Sequence, residues 1–334
     1  MGRLHRLAVL LILPFVPLTF ATTACAADPG IPIPSTTEMS DQVPASVLVY
    51  NLYTSSVSAP QQQNSRISMT NVCPDAVAVH LFLVDGSSCT IADFFQCLTA
   101  NQTTSFLAFD VDPGITGYLI AVTVDIATGL PVDNNCLIGV VHLFFAGSGD
   151  ANLKAEGSKA MMAAGESAQS IAVAQGTAQL DFDGIRYSRF PRVLAVSSIS
   201  SRVDGNQTRL IINRVGGDLA MGVPSIGSIF GVLFDEAEEA HSFSINVPRC
   251  QLVLILGNSS PRTVPPFDTI IPAGASGWMK FWAQGNSVGL LGSVMVFNPT
   301  VATSKDAFNG GRNLHHLSLE PRVTLTIPVF PPHC

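Results

Sequence analysis

Charged side chains are scarce in this sequence of 334 residues, since Asp, Glu, Lys and Arg together make up 12% of it. That is about half the usual share for a soluble globular protein. The formal net charge is −7, and no cluster of lysine and arginine is visible. Because nucleic-acid binding normally needs a basic face that neutralises phosphates, we expect no nucleic-acid partner.

Groups that perform acid/base chemistry or bind metals are also few. The sequence has seven histidines, and neither His-x-His nor His-Glu-x-x-His spacing occurs. His315 and His316 are adjacent, so on a strand they would point to opposite faces. The acidic pairs Asp110/Asp112 and Asp181/Asp183 lie near turns and resemble turn formers more than a complete calcium loop. We therefore expect that the protein binds no metal and no cofactor. If it is an enzyme, its catalytic residues are unknown from the sequence.

The N-terminus has the layout of a secretion signal, predicted to span residues 1–27. Arg3 and Arg6 precede an apolar run at residues 7–20, and small residues follow it. That run is shorter than the roughly 20 residues needed to cross a bilayer, so we expect no transmembrane span in the mature chain. The prediction is secretion or another extracytoplasmic location, with lipid anchoring at Cys25 as the alternative.

Cysteines occur in numbers that suit pairing once Cys25 is removed or modified. The six others are Cys73, Cys89, Cys97, Cys136, Cys250 and Cys334. Four lie in the first part of the chain, where they allow three connectivities, and two in the second, as expected for structural disulfides in an oxidising compartment. The pairing that we favour is Cys89 with Cys97, Cys73 with Cys136, and Cys250 with Cys334.

Blocks of sequence from the first part of the chain return in the same order in the second. The most specific match sets residues 113–119 (PGITGYL) against residues 273–279 (AGASGWM). The order of the blocks predicts an internal duplication. We predict a leader at residues 28–43 that is flexible, a first domain at 44–184 and a second at 191–334. Within the first domain, residues 153–175 are predicted to form a short helix or an excursion.

Short runs rich in β-branched and aromatic residues predict strands throughout both copies. Examples are residues 47–53 and 118–124, with counterparts at 193–199 and 277–283. With some eight strands per copy and no alternation with helices, the predicted fold is all-β. We expect two tandem, similar, antiparallel β-sandwich domains of immunoglobulin-like or jelly-roll type.

One strand offers a candidate ligand-binding site. Trp278, Lys280 and Trp282 follow each other at two-residue spacing, which places all three on one face of a strand. Paired aromatic rings of this kind are typical of sugar-binding surfaces. The corresponding positions of the first copy are apolar, namely Tyr118, Ile120 and Val122, so burial in the core is the interpretation that the sequence favours over a ligand platform.

Taken together, these features predict a secreted or cell-surface protein that is more consistent with a structural or binding role than with an enzyme. Its partner would be an unknown extracellular molecule or a glycan. The alternative is a carbohydrate-active protein, either a lectin-like binder or a glycoside hydrolase that uses paired carboxylates on the same kind of scaffold.

Overall fold

The computed structural model describes residues 28–33, 36–145, 149–161, 176–299 and 309–333. In chain order, the strands before residue 162 are β1 (Ile31–Pro32), β2 (Val47–Thr54), β3 (Gln63–Asn71), β4 (Val77–Asp85), β5 (Ile91–Leu98), β6 (Thr103–Leu107), β7 (Thr116–Val124), β8 (Leu137–Phe145), β9 (Gly149–Lys154) and β10 (Glu156–Ser158). We call this part the first half.

The second half begins at residue 176. Its strands are β11 (Thr177–Phe182), β12 (Pro191–Ser200), β13 (Gln207–Val215), β14 (Gly217–Asp218), β15 (Gly227–Phe234), β16 (Ala240–Val247), β17 (Gln251–Ile255), β18 (Ser276–Ala283), β19 (Gly289–Phe297), β20 (Gly310–Asn313), β21 (His315–Leu319) and β22 (Val323–Pro328). The described helices are single turns, α1 (Ala108–Val111), α2 (Phe267–Ile270) and a 3₁₀ turn at Arg202–Asp204.

The described strands form five sheets. Sheet 1 has the order β10-β2-β7-β4-β5, sheet 2 the order β6-β3-β8-β9, and sheet 3 the order β11-β22-β14. Sheet 4 has the order β1-β21-β12-β18-β15-β16, and sheet 5 the order β17-β13-β19-β20. All named strand pairs are antiparallel except β14 with β22.

The prediction of two tandem β-sandwich domains is wrong. The chain is all-β, but its strands are arranged as five small sheets in the manner of a five-bladed β-propeller. The arrangement is irregular, because sheet 3 takes its strands from three separated segments instead of one consecutive meander. Strand β1, from the predicted leader, joins sheet 4 of the second half. The two halves therefore share sheet 4 and are not independent units.

The reason for the error lies in the central strands of sheet 1, which are buried on both faces. Strands β2 and β4 are buried almost throughout. On β7, Leu119 and Ala121 belong to the apolar core shared with sheet 2. Ile120 and Val122 belong to another core, shared with β11 and β22 of sheet 3. Strand pattern alone shows that such a strand is buried, but it does not show how many layers surround it.

The two halves nonetheless use one strand order. The series β2-β7-β4-β5 in sheet 1 corresponds to β12-β18-β15-β16 in sheet 4, and β6-β3-β8-β9 in sheet 2 to β17-β13-β19-β20 in sheet 5. Within this series Tyr118 pairs with Val84, and Trp278 pairs with Phe234. Positions on β7 and β18 can therefore be compared directly.

The disulfides confirm one predicted pair and correct two. Cys73 bonds to Cys136, with Cα atoms 5.4 Å apart. Cys89 bonds to Cys250 of the second half, with Cα atoms 5.7 Å apart, so the predicted pairs Cys89–Cys97 and Cys250–Cys334 are wrong.

The physical reason for the first of these errors is the length of β5. Cys97 lies near the far end of β5, whereas Cys89 lies in the turn that precedes it. An extended strand rises about 3.3 Å per residue, so these two residues lie on the order of 20 Å apart. Disulfide geometry requires Cα atoms closer than about 7 Å. Cys97 is itself disulfide-bonded, and Cys334 lies outside the described residues.

Other predicted segments have these outcomes. The predicted signal at 1–27 lies outside the described residues, as do residues 162–175 of the predicted excursion. The earlier part of that excursion forms the end of β9 and all of β10, not a helix. In the predicted leader, Met39 is buried in the core next to sheets 1 and 3, and Ser40 pairs with Gly157. In the described ranges no helix has the length and apolar character needed to cross a membrane.

Candidate functional site

Trp278, Lys280 and Trp282 lie on one face of β18, as their spacing predicts. This face is the outer one. The alternate residues of the strand, Met279, Phe281 and Ala283, are buried in the core between sheets 4 and 5. Trp278, Lys280 and Trp282 are instead partly exposed to solvent. The interpretation of these three residues as core, favoured from the sequence, is therefore not what the structure shows.

Two phenylalanines on the neighbouring strand β15 complete an aromatic surface. Phe234 stacks on Trp278, with ring centroids 4.5 Å apart and planes 8° from parallel. Phe230 contacts Trp282, with centroids 5.1 Å apart and planes inclined by 53°. Each pair is a cross-strand neighbour pair, the arrangement in which aromatic side chains stabilise a sheet surface. We call these four residues, together with Lys280 between the tryptophans, the aromatic face.

Lys280 has a charged partner from the beginning of the described chain. Its Nζ forms an ion pair with Oδ1 of Asp28, and the two side chains are 16% and 24% exposed. The segment that carries Asp28 is attached to sheet 4, because β1 pairs with β21 and the hydroxyl of Ser318 donates to the carbonyl of Pro29. Asp28 therefore stands at one border of the aromatic face.

Polar groups lie on the other sides of the aromatic face. Ser242 and Ser244 of β16 are exposed, and they pair with Val232 and Phe230 of β15. At the Trp278 end, Glu236 accepts hydrogen bonds from the backbone N–H and the hydroxyl of Ser276. The aromatic rings are thus flanked by hydroxyl and carboxylate groups that can form hydrogen bonds with a ligand.

The corresponding surface of the first half is covered. Tyr118, the counterpart of Trp278, is fully buried, and its hydroxyl donates to the carbonyl oxygen of Arg214 at 2.6 Å. Burial raises the pKa of Tyr118, although the nearby Arg214 opposes the shift. Ile120 and Val122 are buried with it against sheet 3. Sheet 3, whose strands belong to the second half, covers this surface of the first half. The aromatic face of the second half is instead partly open.

A second group of polar residues lines a cleft between the halves, which sequence reasoning missed. The cleft has a volume of about 460 Å³ and contains Glu156 and His316. Nε2 of His316 lies 2.9 Å from Oε2 of Glu156, and Asn51 donates to Oε1 of Glu156 at 2.6 Å. Both carboxylate oxygens of Glu156 thus have partners. His315 also lines the cleft, but its Nε2 contacts the hydroxyl of Ser197 and not Glu156, so the two histidines have different partners.

The buried amides behind this cleft connect the two halves. Asn51 is fully buried and donates to the carbonyl of Gly292 at 3.2 Å and to Oδ1 of Asn313 at 3.1 Å. Asn213, also fully buried, donates to the carbonyl of Asn51 at 2.7 Å, and Gln251 donates to Oδ1 of Asn213. No local signal marks these contacts, because the partners are far apart in sequence.

The acidic pairs have structural partners. Oδ1 of Asp181 accepts hydrogen bonds from Arg322 and Thr324. Burial alone would raise the pKa of Asp181, but hydrogen bonds from Arg322 and Gln179 outweigh it and lower the pKa. Oδ1 of Asp183 accepts from two backbone N–H groups of the following turn. These two residues therefore act in an ion pair and in a turn.

In the Asp110/Asp112 pair, Asp112 contacts a buried tyrosine. Oδ2 of Asp112 accepts from the hydroxyl of Tyr53 at 2.5 Å. Burial raises the pKa of Asp112, against the effect of this hydrogen bond.

In the described ranges, one group of residues could hold a metal ion. It consists of Asp235, Glu239 and His241, whose ligand atoms lie within 4.8 Å of one another. Oδ1 of Asp235 already accepts two backbone N–H groups of its own turn.

One serine motif was also missed. Residues 285–289 (GNSVG) have the Gly-x-Ser-x-Gly spacing of a hydrolase nucleophile elbow. In hydrolases this motif forms a strand-to-helix turn. Here it joins β18 to β19, and the backbone N–H of Ser287 donates to Glu320 at 2.7 Å. Ser287 has a φ of 57°, but no helix follows it, so the segment does not form an elbow.

Comparisons with known proteins give no family for this chain. No protein-family model matches the chain, and no curated protein matches it. A solved structure described as the PBSX exported protein XepA aligns with 72% of this chain and 82% of its own, at 8% identity and a TM-score of 0.21. At those values the likeness defines neither the fold nor the function of this chain.

Proposed function

We propose that this protein is an exported, non-enzymatic carbohydrate-binding protein and that the aromatic face is its binding surface. The observation that carries the proposal is the contrast between Trp278 and Tyr118. The two residues occupy equivalent strand positions, yet Tyr118 is fully buried beneath sheet 3 whereas Trp278 is partly exposed. The partly open position holds aromatic side chains together with a cation.

The chemistry of the aromatic face suits a sugar. Pyranose rings have apolar C–H faces that pack on aromatic rings and equatorial hydroxyls that need hydrogen-bond partners. Trp278 and Trp282 are four residues apart on one strand, which separates them by about 13 Å. An extended oligosaccharide can contact both. Ser242, Ser244 and Glu236 lie beside the rings, where they can form hydrogen bonds with its hydroxyls.

Export is supported by the disulfides and by the predicted signal. Disulfides such as Cys73–Cys136 and Cys89–Cys250 form and persist in oxidising compartments. Extracellular polysaccharides are present in the same compartments. The proposed location is therefore extracytoplasmic, and lipid anchoring at Cys25 is compatible with the same function.

Affinity electrophoresis and a glycan array test this function. We expect the mature chain to bind one or more polysaccharides, and we expect Trp278→Ala and Trp282→Ala each to weaken binding by about tenfold or more, because each removes a large contact area. Both residues lie opposite the core, so circular dichroism should show an unchanged fold. Phe144→Ala, which removes an aromatic side chain that is 40% exposed on sheet 2, is the matched control.

Three results would contradict the proposal. The first is glycan binding that persists in the Trp278→Ala/Trp282→Ala double variant, and the second is no binding to any glycan. The third is release of reducing sugar from a bound polysaccharide at enzyme-like rates, which would overturn the non-enzymatic assignment.

A further inference from the structure

Lys280 is central to the aromatic face. Its neighbours on the same face of β18 are Trp278 and Trp282, each about 7 Å away along the strand. Its side chain is 16% exposed, so its ammonium group is largely removed from water and needs an anionic partner. Asp28 provides that partner from a residue 252 positions away in sequence.

The position of Lys280 in the sheet explains how Asp28 reaches it. On the side towards β12, Lys280 pairs with Ala195, and Ala195 pairs in turn with His315 of β21. Ala195 is small and 4% exposed, so it offers no competing polar group. The segment that carries Asp28 is paired with β21, and Asp28 therefore reaches Lys280 from across β12.

The ion pair can be exchanged for an external carboxylate. Asp28 and Lys280 both retain contact with solvent, so a carboxylate on a ligand can reach the ammonium group of Lys280 in place of Asp28. A carboxylate on a ligand that is already packed on the tryptophans meets the same ammonium group without a second loss of translational and rotational entropy. Such a ligand needs an apolar ring face next to a carboxylate.

We propose that the ligand of the aromatic face is an acidic glycan whose hexuronate carboxylate replaces Asp28 at Lys280. The inference rests on the proposed carbohydrate-binding function and specifies its ligand class. Asp28 then acts as an internal competitor that occupies the cation until the glycan binds.

The experiment compares a carboxylate with its neutral form. Oligomers of galacturonate and of mannuronate, each beside its methyl ester, are titrated calorimetrically into the full mature chain. We expect the free acid of at least one oligomer to bind more tightly than its ester. Asp28→Asn should raise affinity for that acid about two- to fivefold and leave the ester unchanged. Asp150→Asn, an exposed acid on sheet 2, alters net charge equally and should change neither.

Variants of Lys280 complete the test. Lys280→Met should remove the preference for the acid over the ester, and Lys280→Arg should retain it. Lys154→Met is the control for loss of one positive charge at a site outside sheet 4.

Two outcomes would overturn this inference. One is equal binding of acid and ester, and the other is an Asp28→Asn variant that behaves like Asp150→Asn. Ester binding that is lost in Trp278→Ala would at the same time leave the carbohydrate-binding function standing. Absence of glycan binding in every form would end both proposals.

Discussion

Cys89 and Cys250 form a disulfide that joins the two halves of the chain across 161 residues. Cys89 lies in the turn between β4 and β5 of sheet 1, and Cys250 immediately precedes β17 of sheet 5. The backbone N–H of Cys250 also donates to Sγ of Cys89. The bond therefore fixes sheet 1 of the first half to sheet 5 of the second.

Removing this disulfide should destabilise the protein more than removing Cys73–Cys136. In the chain-entropy treatment, a loop of this length contributes up to about 5 kcal/mol, and the shorter loop closed by Cys73–Cys136 about 4 kcal/mol. We expect Cys89→Ser/Cys250→Ser to give the lower Tm of the two double variants. Equal melting temperatures, or a non-reduced peptide map that joins Cys89 to Cys97, would contradict this assignment.

Asn51 should be one of the most sensitive polar positions. Its side chain is buried and donates to Glu156, Gly292 and Asn313. Asn51→Leu keeps the number of side-chain heavy atoms but removes the donor to Oε1 of Glu156 and to Oδ1 of Asn313, so we expect the free energy of unfolding to fall by about 2–4 kcal/mol. Denaturant unfolding measures this, with Asn246→Ala on exposed β16 as control. A fall in the free energy of unfolding no larger than that of Asn246→Ala would show that water replaces the lost hydrogen bonds.

His80 should make stability depend on pH. Its side chain is buried among aromatic rings, with the Phe95 ring centroid 4.2 Å away, and Nε2 lies 2.7 Å from Asp93. Burial lowers the pKa of His80, and the contact with Asp93 offsets this only in part. The folded state thus favours neutral His80. Its contribution to stability is complete above the unfolded pKa of about 6.5 and is lost as the pH falls below that value.

Urea unfolding at pH 7.5 and at pH 5 tests this dependence. We expect His80→Gln to reduce the loss of stability between the two pH values, whereas His142→Gln, an exposed histidine on sheet 2, should not change it. An unchanged pH dependence in His80→Gln would show that other groups are responsible.

Two equivalent glycines should tolerate no side chain. A Cβ at Gly117 would lie 1.8 Å from the carbonyl oxygen of Val84, and one at Gly277 would lie 2.6 Å from that of Phe234. Gly117→Ala and Gly277→Ala should therefore each lower the free energy of unfolding by about 1–3 kcal/mol, with the larger loss at Gly117. Gly310→Ala meets no atom within 4 Å and is the control. Melting curves of Gly117→Ala and Gly277→Ala that match the curve of Gly310→Ala would show that these glycines do not lie so close to the neighbouring strand.

Local pattern predicted individual strands well. The predicted strand at 47–53 corresponds to Val47–Thr54, and the one at 118–124 to Thr116–Val124. Period-two spacing also placed Trp278, Lys280 and Trp282 on one face, because side chains alternate along any strand. Local pattern did not predict how many sheets pack around each strand. Tyr118 and Trp278 have similar local sequences, yet sheet 3 covers only the first of them.

The sequence by itself determined an all-β chain, its cysteine content and the shared face of the β18 residues, since each depends on neighbours along the chain. Only the tertiary structure decided that five sheets form, that Cys89 bonds to Cys250, and that Asp28 reaches Lys280. These contacts join residues 161 to 252 positions apart. The physical reason is that burial of sheet faces acts between distant segments, and no short-range pattern records which segments meet.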